Sequence, residues 1–275
     1  MPAKRLLVTM ECAGNGRSMM QPLPSSTPWR DCAVATAEWL GVPLRTVLEK
    51  AQIEENVLEV LFLGGDAGVE GGREVSFARS LPLEEAMHDD VILAYKMNGH
   101  PIPLMHGFPV RLIVPGWYGM ASVKWLTEIR ALSEPYKGYF QKDRYVYATS
   151  RNMTDSPVSR IRVKSLILEP SEGAVVKLGK PLKVSGLAWS GSGRIRKVEF
   201  RTQETDWTAT RLSHDDLGPY AWSRWSINWR PKANGRYVLT SRAFDEVGAS
   251  QPEDPVWNIH GYGYNSVLSR IVMVI

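Results

Sequence analysis

At 275 residues, with 44% apolar and 23% charged residues, the chain is long enough for two domains that each close a hydrophobic core, and its composition excludes a disordered or collagen-like polymer. The net charge of +4 comes from basic residues interleaved with acidic ones, without a Lys/Arg block, so a small anion suits this chain better than nucleic acid. No apolar run approaches the roughly 18 residues of a membrane span, and the opening MPAKRLLVTMECAG is too short in apolar residues for a secretory leader, so no membrane insertion is expected.

Taken in order, 6–10 (LLVTM), 58–63 (LEVLFL), 91–95 (VILAY) and 109–114 (PVRLIV) are short apolar runs bounded by Gly, Pro or Asn, the pattern of buried strands. Between them, 43–51 (PLRTVLEKA) opens with Pro and carries Leu44, Val47, Leu48 and Ala51 at helical spacing. A shorter helix is predicted over 82–88 (PLEEAMH). The first half therefore reads as mixed α and β. From about Val163 the helical spacing disappears. Runs at 182–189, 195–201, 222–229, 236–244 and 270–275 recur with turn residues between them, which predicts an antiparallel sandwich of about 100 residues. Seven of the ten Trp lie outside any helical stripe and four fall within 207–229, as aromatic packing between sheets requires. The polar stretch 149–160 is the natural linker, so domains are expected over 1–155 and 160–275.

The two cysteines, Cys12 and Cys32, cannot build a disulfide framework; each is open to being a buried thiol, a half of one bridge, a nucleophile or a metal ligand. Cys12 ends a predicted strand on the Gly-rich turn ECAGNGR, where missing side chains let the backbone approach a bulky ligand and a thiolate can meet a soft metal. In this segment, and in AEWLGVPLRTVL, the long run 94–126 and AWSGSGR, the chain resembles the sulfite oxidase family of molybdenum enzymes. The resemblance runs from about residue 6 to the C-terminus. It implies an α+β architecture: a mixed α/β molybdopterin-binding domain followed by an all-β, immunoglobulin-like dimerisation domain.

The resemblance also implies an oxidoreductase whose cofactor is molybdenum on a pyranopterin, with Cys12 as the metal's protein ligand. His106, Arg111, Ser122 and Lys124 match positions that hold the pterin and its phosphate. Arg17 and Trp29 match an anion-binding Arg and a pocket-wall Trp. Tyr145 matches an active-site Tyr, although the usual QxxDY reads QKDRY here, leaving Tyr147 as the fallback. Asp66, in FLGGDAG, aligns with an acidic loop residue but reads as turn chemistry. The family's WNLRG segment, source of a second substrate Arg, is WNIHG, which places His260 where a permanent cation is expected.

The implied reaction is oxidation of sulfite to sulfate by oxygen-atom transfer. No haem or flavin motif is visible, so the expected acceptor is an external protein such as a c-type cytochrome. A homodimer is expected, because the tryptophans and apolar strands of the second half exceed what one small sandwich needs. The family's preceding Arg-Asn-His segment is not in this sequence, which suggests that an upstream piece, with a leader to the periplasm, has been lost; without one the compartment would be the cytoplasm. Two other readings are a related molybdopterin enzyme acting on a sulfoxide, and a cofactor-free dimeric remnant.

Overall fold

The computed structural model describes residues 1–70, 72–149, 156–213 and 217–275. The chain divides into two compact units, Met1–Arg160 with Trp257–Gly263, and Ile161–Val256 with Tyr264–Ile275. The linker expected over 149–160 falls in part on 150–155, and the first domain's expected end at 155 also lies there, outside the described residues. Segment 257–263, which the sequence reading places with the second domain, groups with the first.

In the first unit, β1 (Lys4–Glu11), β2 (Val34–Pro43), β5 (Ile92–Met97) and β6 (His100–Pro101) form one antiparallel sheet in that order, with β7 (Arg111–Ile113) also on β5. A second sheet has the order β4-β3-β8, from β4 (Arg73–Pro82), β3 (Glu59–Glu70) and β8 (Leu126–Leu132). Two short helices, α1 (Leu44–Ala51) and α2 (Leu83–Ala86), stand near the predicted places. Pro43 ends β2 and precedes α1, where its missing N–H leaves no helical bond unmade. Leu44 and Leu48 of α1 pack with Val60, Phe62, Leu81, Leu112 and Val123 in one buried cluster. The strands β2, β4 and β8 were not separately predicted. Their apolar residues alternate with Thr, Arg and Glu, and the local pattern is no sharper than that of a loop with scattered apolar residues.

A pair of two-residue strands, β9 (Val146–Tyr147) and β10 (Ser156–Pro157), completes the first unit. The second unit is a sandwich. One sheet has the order β11-β13-β17-β16, from β11 (Lys164–Glu169), β13 (Leu182–Trp189), β17 (Ser223–Trp229) and β16 (Arg211–Leu212). The other has the order β12-β19-β18-β14-β15, from β12 (Ala174–Val176), β19 (Leu268–Val274), β18 (Gly235–Asp245), β14 (Ile195–Thr202) and β15 (Thr208–Ala209). The predicted runs at 182–189, 195–201, 222–229, 236–244 and 270–275 are these strands to within two residues at each end. Val184, Ala188, Val198, Phe200, Trp225, Leu239 and Val272 form the buried layer between the sheets, the alternation that a sheet with one core face demands.

Gly186 on β13 is required by this packing. A Cβ there would press on the Leu166 carbonyl of the neighbouring strand and come within 2.6 Å of the Trp225 ring. Gly186→Ala is expected to destabilise the second unit by about 1–3 kcal/mol, the usual penalty of overpacking, as read by urea denaturation with Trp fluorescence. An unchanged midpoint would show that the strands can part at no cost.

Candidate functional site

The segment after β1 is built to present one side chain. The Cys12 N–H donates to the Ala33 carbonyl (2.9 Å), and the Cys12 carbonyl accepts from the Asn15 N–H (2.9 Å), so the chain turns back as soon as the strand ends. Asn15 locks the turn: its Nδ2 donates to the buried Glu11 carboxylate (2.8 Å) and its Oδ1 accepts from the Ala33 N–H (3.0 Å). Around an otherwise buried loop, the Cys12 thiol is exposed and unbridged, as is Cys32.

Cys12 opens onto a cavity of about 350 Å³ that it shares with Glu11, Asp66, Phe77, Arg111, Ser122, Lys124 and Tyr145, among others. Arg111 enters from β7, buried, with Nη1 on the His106 carbonyl and Nη2 on the Ser122 carbonyl, both at 2.8 Å. Its Nε is buried without a partner, and burial pulls the guanidinium down to about 10. One oxygen of the Asp66 carboxylate is likewise buried and unpartnered. Ser122 accepts the Val114 N–H (3.0 Å), which pins the loop that carries it. Lys124 lies over the Trp125 ring (4.0 Å to the centroid) and donates to the Met105 carbonyl (3.2 Å). Burial and then Arg111 lower its pKa, while Asp66 acts the other way.

A second group gathers around the same Cys12 and Tyr145. Arg17 is buried, with Nε on the His260 carbonyl (2.6 Å) and Nη1 on the Thr27 carbonyl (2.8 Å). Two glycines make room for it. A Cβ on Gly14 would lie 2.5 Å from its Nη2, and one on Gly261, at φ +64°, would strike its aliphatic stem. The guanidinium lies over the Tyr262 ring at 5.1 Å, and Tyr262 stands between the Tyr145 ring (5.4 Å) and the His260 ring (5.6 Å). Burial raises both phenols, Tyr262 to about 12, and the nearby Cys12 adds to the rise, so both hold their protons at neutral pH. Burial, Arg144 and Arg17 lower the His260 imidazole.

Of the residues singled out from the sequence, Cys12, Arg111, Ser122, Lys124 and Tyr145 line the one cavity, and Asp66 joins them. Arg17 and His260 belong to the second group. Tyr147 is on β9, away from the cavity lining, so the phenol at the cavity is Tyr145. The side chains of Trp29 and His106 are exposed and outside the lining; the His106 carbonyl, not its ring, is engaged with Arg111. Sequence reasoning missed Tyr262, Arg144 and Arg79. Arg79 is buried, donates to the Phe140 and Val158 carbonyls, stands 5.8 Å from the Tyr145 ring, and is drawn down by burial to about 10. A larger hollow of about 680 Å³ on the second unit is lined by residues that include Lys183, Arg211, Arg224 and Trp225, without a thiol, imidazole or carboxylate.

Among the described residues, no three His, Cys, Asp or Glu side chains are placed to hold a metal ion. A metal on Cys12 therefore has to arrive with its other ligands. The unpartnered Arg111 Nε and the Lys124 ammonium suit the anionic end of such a group, and the exposed thiol suits a soft metal.

Residues 1–140 match the family described as an oxidoreductase molybdopterin binding domain, and residues 155–273 match the Mo-co oxidoreductase dimerisation domain. The chain is 34% identical to mitochondrial sulfite oxidase of Macaca fascicularis over 94% of its own length and 51% of that protein's, and 33% identical to sulfite oxidase of Gallus gallus over 94% and 60%. It is also 31% identical to the NADH nitrate reductase of Lotus japonicus, over 94% of this chain and 32% of the relative. It thus spans only about half the length of several of the curated relatives it matches. Among solved structures it superposes on the sulfane dehydrogenase SoxCD of Paracoccus pantotrophus with a TM-score of 0.85 and 29% identity, over 98% of this chain and 69% of the other. With an exposed thiol on a cavity that also holds Arg111 and Lys124, and both domain families matched in order, the chain belongs to the sulfite oxidase family of molybdopterin-dependent oxidoreductases, with molybdopterin-bound molybdenum as its cofactor.

Proposed function

We propose that the protein oxidises sulfite to sulfate and passes the electrons to an external acceptor such as a c-type cytochrome. The observation that carries the reading is the meeting of an exposed thiol, Cys12, with the buried cation Arg17 and the protonated phenol of Tyr145 in a chain of this family. The bound cofactor supplies oxygen-atom transfer, taking two electrons from the substrate and drawing oxygen from water. Cys12 is the residue that would hold the metal, with Arg111, Lys124 and the Ser122 hydroxyl on the anionic end of the pterin and His106 at the rim. Arg17, anchored by two carbonyls, keeps its charge and offers Nη2 to the oxyanion, so the anion is oriented by a group that does not move. Tyr145 keeps the proton on Oη and can donate it in a hydrogen bond as charge grows on the product. His260, neutral at neutral pH, contributes a hydrogen bond and not a charge.

A second reading has its own support. The likeness to a sulfane dehydrogenase covers nearly the whole chain, and Cys12 and Trp29 are exposed, so an oxidisable sulfur carried on a larger donor would also reach the site. We further propose that the chain works as a homodimer through the residues that match the dimerisation domain, as the surplus of Trp and apolar strand residues suggests. Among the described residues no helix is long and apolar enough to cross a membrane.

Purified protein is expected to hold about one molybdenum per chain, and Cys12→Ser to abolish sulfite turnover while the fold persists, because an alcohol does not replace thiolate donation to the metal. Sulfite turnover surviving in Cys12→Ser would overturn the ligand assignment. Sulfate affinity of the metal-loaded protein should stay flat from about pH 8 down to about 6.5, the ordinary imidazole pKa, and rise only on further acidification as His260 gains its proton. His260→Arg should tighten it at neutral pH by about 1–2 kcal/mol, the scale of a charge-assisted hydrogen bond, while Arg17→Ala weakens it at every pH. An affinity that changes between pH 8 and 6.5 would mean that His260 is not the titrating group. Sedimentation of the full chain at micromolar concentration should report a dimer, and a monomer would remove that proposal.

A further inference from the structure

Arg144 is the last residue of a five-residue π-helical turn, Phe140–Arg144, and the peptide it forms with Tyr145 leads directly to the phenol at the cavity. A π-turn is one residue wider than an α-turn and typically occurs where a functional side chain has been admitted into a helix. Its guanidinium is half-buried and makes no hydrogen bond or ion pair with any described residue. The groups within reach of its charge are Arg17, Tyr145, His260 and Tyr262. Arg17 and Arg144, two permanent cations, thus share one neighbourhood with an imidazole and two protonated phenols. Like charges held together raise the free energy of the empty site. An anion of double charge brought among them removes that cost and gains hydrogen bonds from both forks.

Tyr262 is fixed beneath the Arg17 guanidinium. Its backbone is fixed by Asn258, whose Oδ1 accepts the Tyr262 N–H (3.0 Å) and whose Nδ2 donates to the Tyr262 carbonyl (2.8 Å). Its ring separates Tyr145 from His260, with Arg17 across its face. Arg17 spends two of its five N–H groups, one on Nε and one on Nη1, on backbone carbonyls, so three remain for an anion, all on one side of it. A tetrahedral oxyanion presents acceptors in several directions, and donors on one side do not meet them all.

We infer that Arg144 is a specificity-determining residue that closes on the substrate oxyanion opposite Arg17, so that the site selects a tetrahedral or pyramidal dianion over a monoanion. The inference rests on the reading of Cys12, Arg17 and Tyr145 as the place where a sulfur oxyanion is oxidised. It assigns the second fixed charge of that place to the π-turn, with His260 as an uncharged neighbour.

The test is calorimetric titration of sulfate, which binds without reacting, into the molybdenum-loaded full chain, beside sulfite kinetics on the same preparations. Arg144→Gln is expected to weaken sulfate roughly tenfold or more, the loss typical of one charge-assisted hydrogen bond, and to raise the KM for sulfite far more than it lowers kcat. Arg144→Lys should restore part of the affinity, and Lys142→Gln, on the exposed side of the same turn, none of the effect. Because Arg144 has no hydrogen-bond or ion-pair partner among the described residues to lose, the melting temperature of Arg144→Gln should equal or exceed that of the wild type. Wild-type sulfate affinity in Arg144→Gln, absence of sulfate binding by the wild type, or a lowered melting temperature that accompanies the loss of affinity would each overturn the inference. Protein that binds sulfate through Arg144 yet leaves sulfite unoxidised would uphold the anion site and refute the choice of sulfite alone.

Discussion

Three buried arginines of the first unit are held by backbone carbonyls instead of carboxylates. Arg17 is bound by the carbonyls of His260 and Thr27, Arg79 by those of Phe140 and Val158, and Arg111 by those of His106 and Ser122. A carbonyl satisfies a donor and leaves the charge uncancelled, whereas a carboxylate would satisfy the donor and neutralise the charge. The first unit therefore carries buried positive charge that its hydrogen-bond partners leave uncancelled. Burial draws all three guanidiniums downward, two of them to about 10, because a buried cation without an anion beside it is unfavourable. The fold accepts this cost around Cys12, where an anionic cofactor and an anionic substrate both remove it.

The arginines also tie distant stretches of chain together. Arg79 joins β4 to the π-turn and to the residue after β10, and so fixes the backbone that presents Tyr145. Arg111 joins the short segment ending at His106 to the loop of Ser122, and the Ser122 hydroxyl in turn takes the Val114 N–H. Each cation is thus a structural tie as well as a charge. Replacing one by an apolar residue removes two side-chain hydrogen bonds to backbone carbonyls, whatever happens to the electrostatics.

Much of the fold could be read from the sequence, and the reasons differ between its parts. The sandwich strands announce themselves by alternation and by the turn residues between them, and they fall where the runs at 182–189 and 236–244 place them. The first unit hides more. In β4, Arg79 and Ser80 are buried inside a run that reads as a half-exposed strand, because the carbonyls that satisfy Arg79 come from sixty and more residues away. The cavity lining drew on Cys12, Arg111, Ser122, Lys124 and Tyr145, which resemblance to the family singles out one by one. The second group around Arg17 was less legible. Tyr262 sits in GYGY, a string that suggests a turn, and only the three-dimensional meeting with Arg17, Tyr145 and His260 gives it a part. Arg144 was visible as an irregularity of spacing before Tyr145, but a sequence cannot show that the extra residue is taken up by a widened turn. Asp66, read as turn chemistry, proves to have a buried oxygen facing the cavity.

The grouping of Trp257–Gly263 with the first unit has a consequence for how the protein comes into being. Synthesis runs from the N-terminus, so β1, Cys12 and the whole arginine framework leave the ribosome well before Asn258, His260 and Tyr262. Throughout that interval the nascent chain has the thiol and the cavity but not the ring on which Arg17 rests, nor the His260 carbonyl that anchors it. Strands β11 to β18 of the sandwich emerge in that interval, but β19, which pairs with both β12 and β18, follows Trp257–Gly263, so the second unit also waits for a strand beyond residue 263. A chain stopped at residue 256 would therefore lose an inner wall of its reactive centre, although nearly all of the sequence that precedes the centre's other residues would be intact. A product shortened before residue 258 lacks both the His260 carbonyl and the Tyr262 ring that hold Arg17 in place.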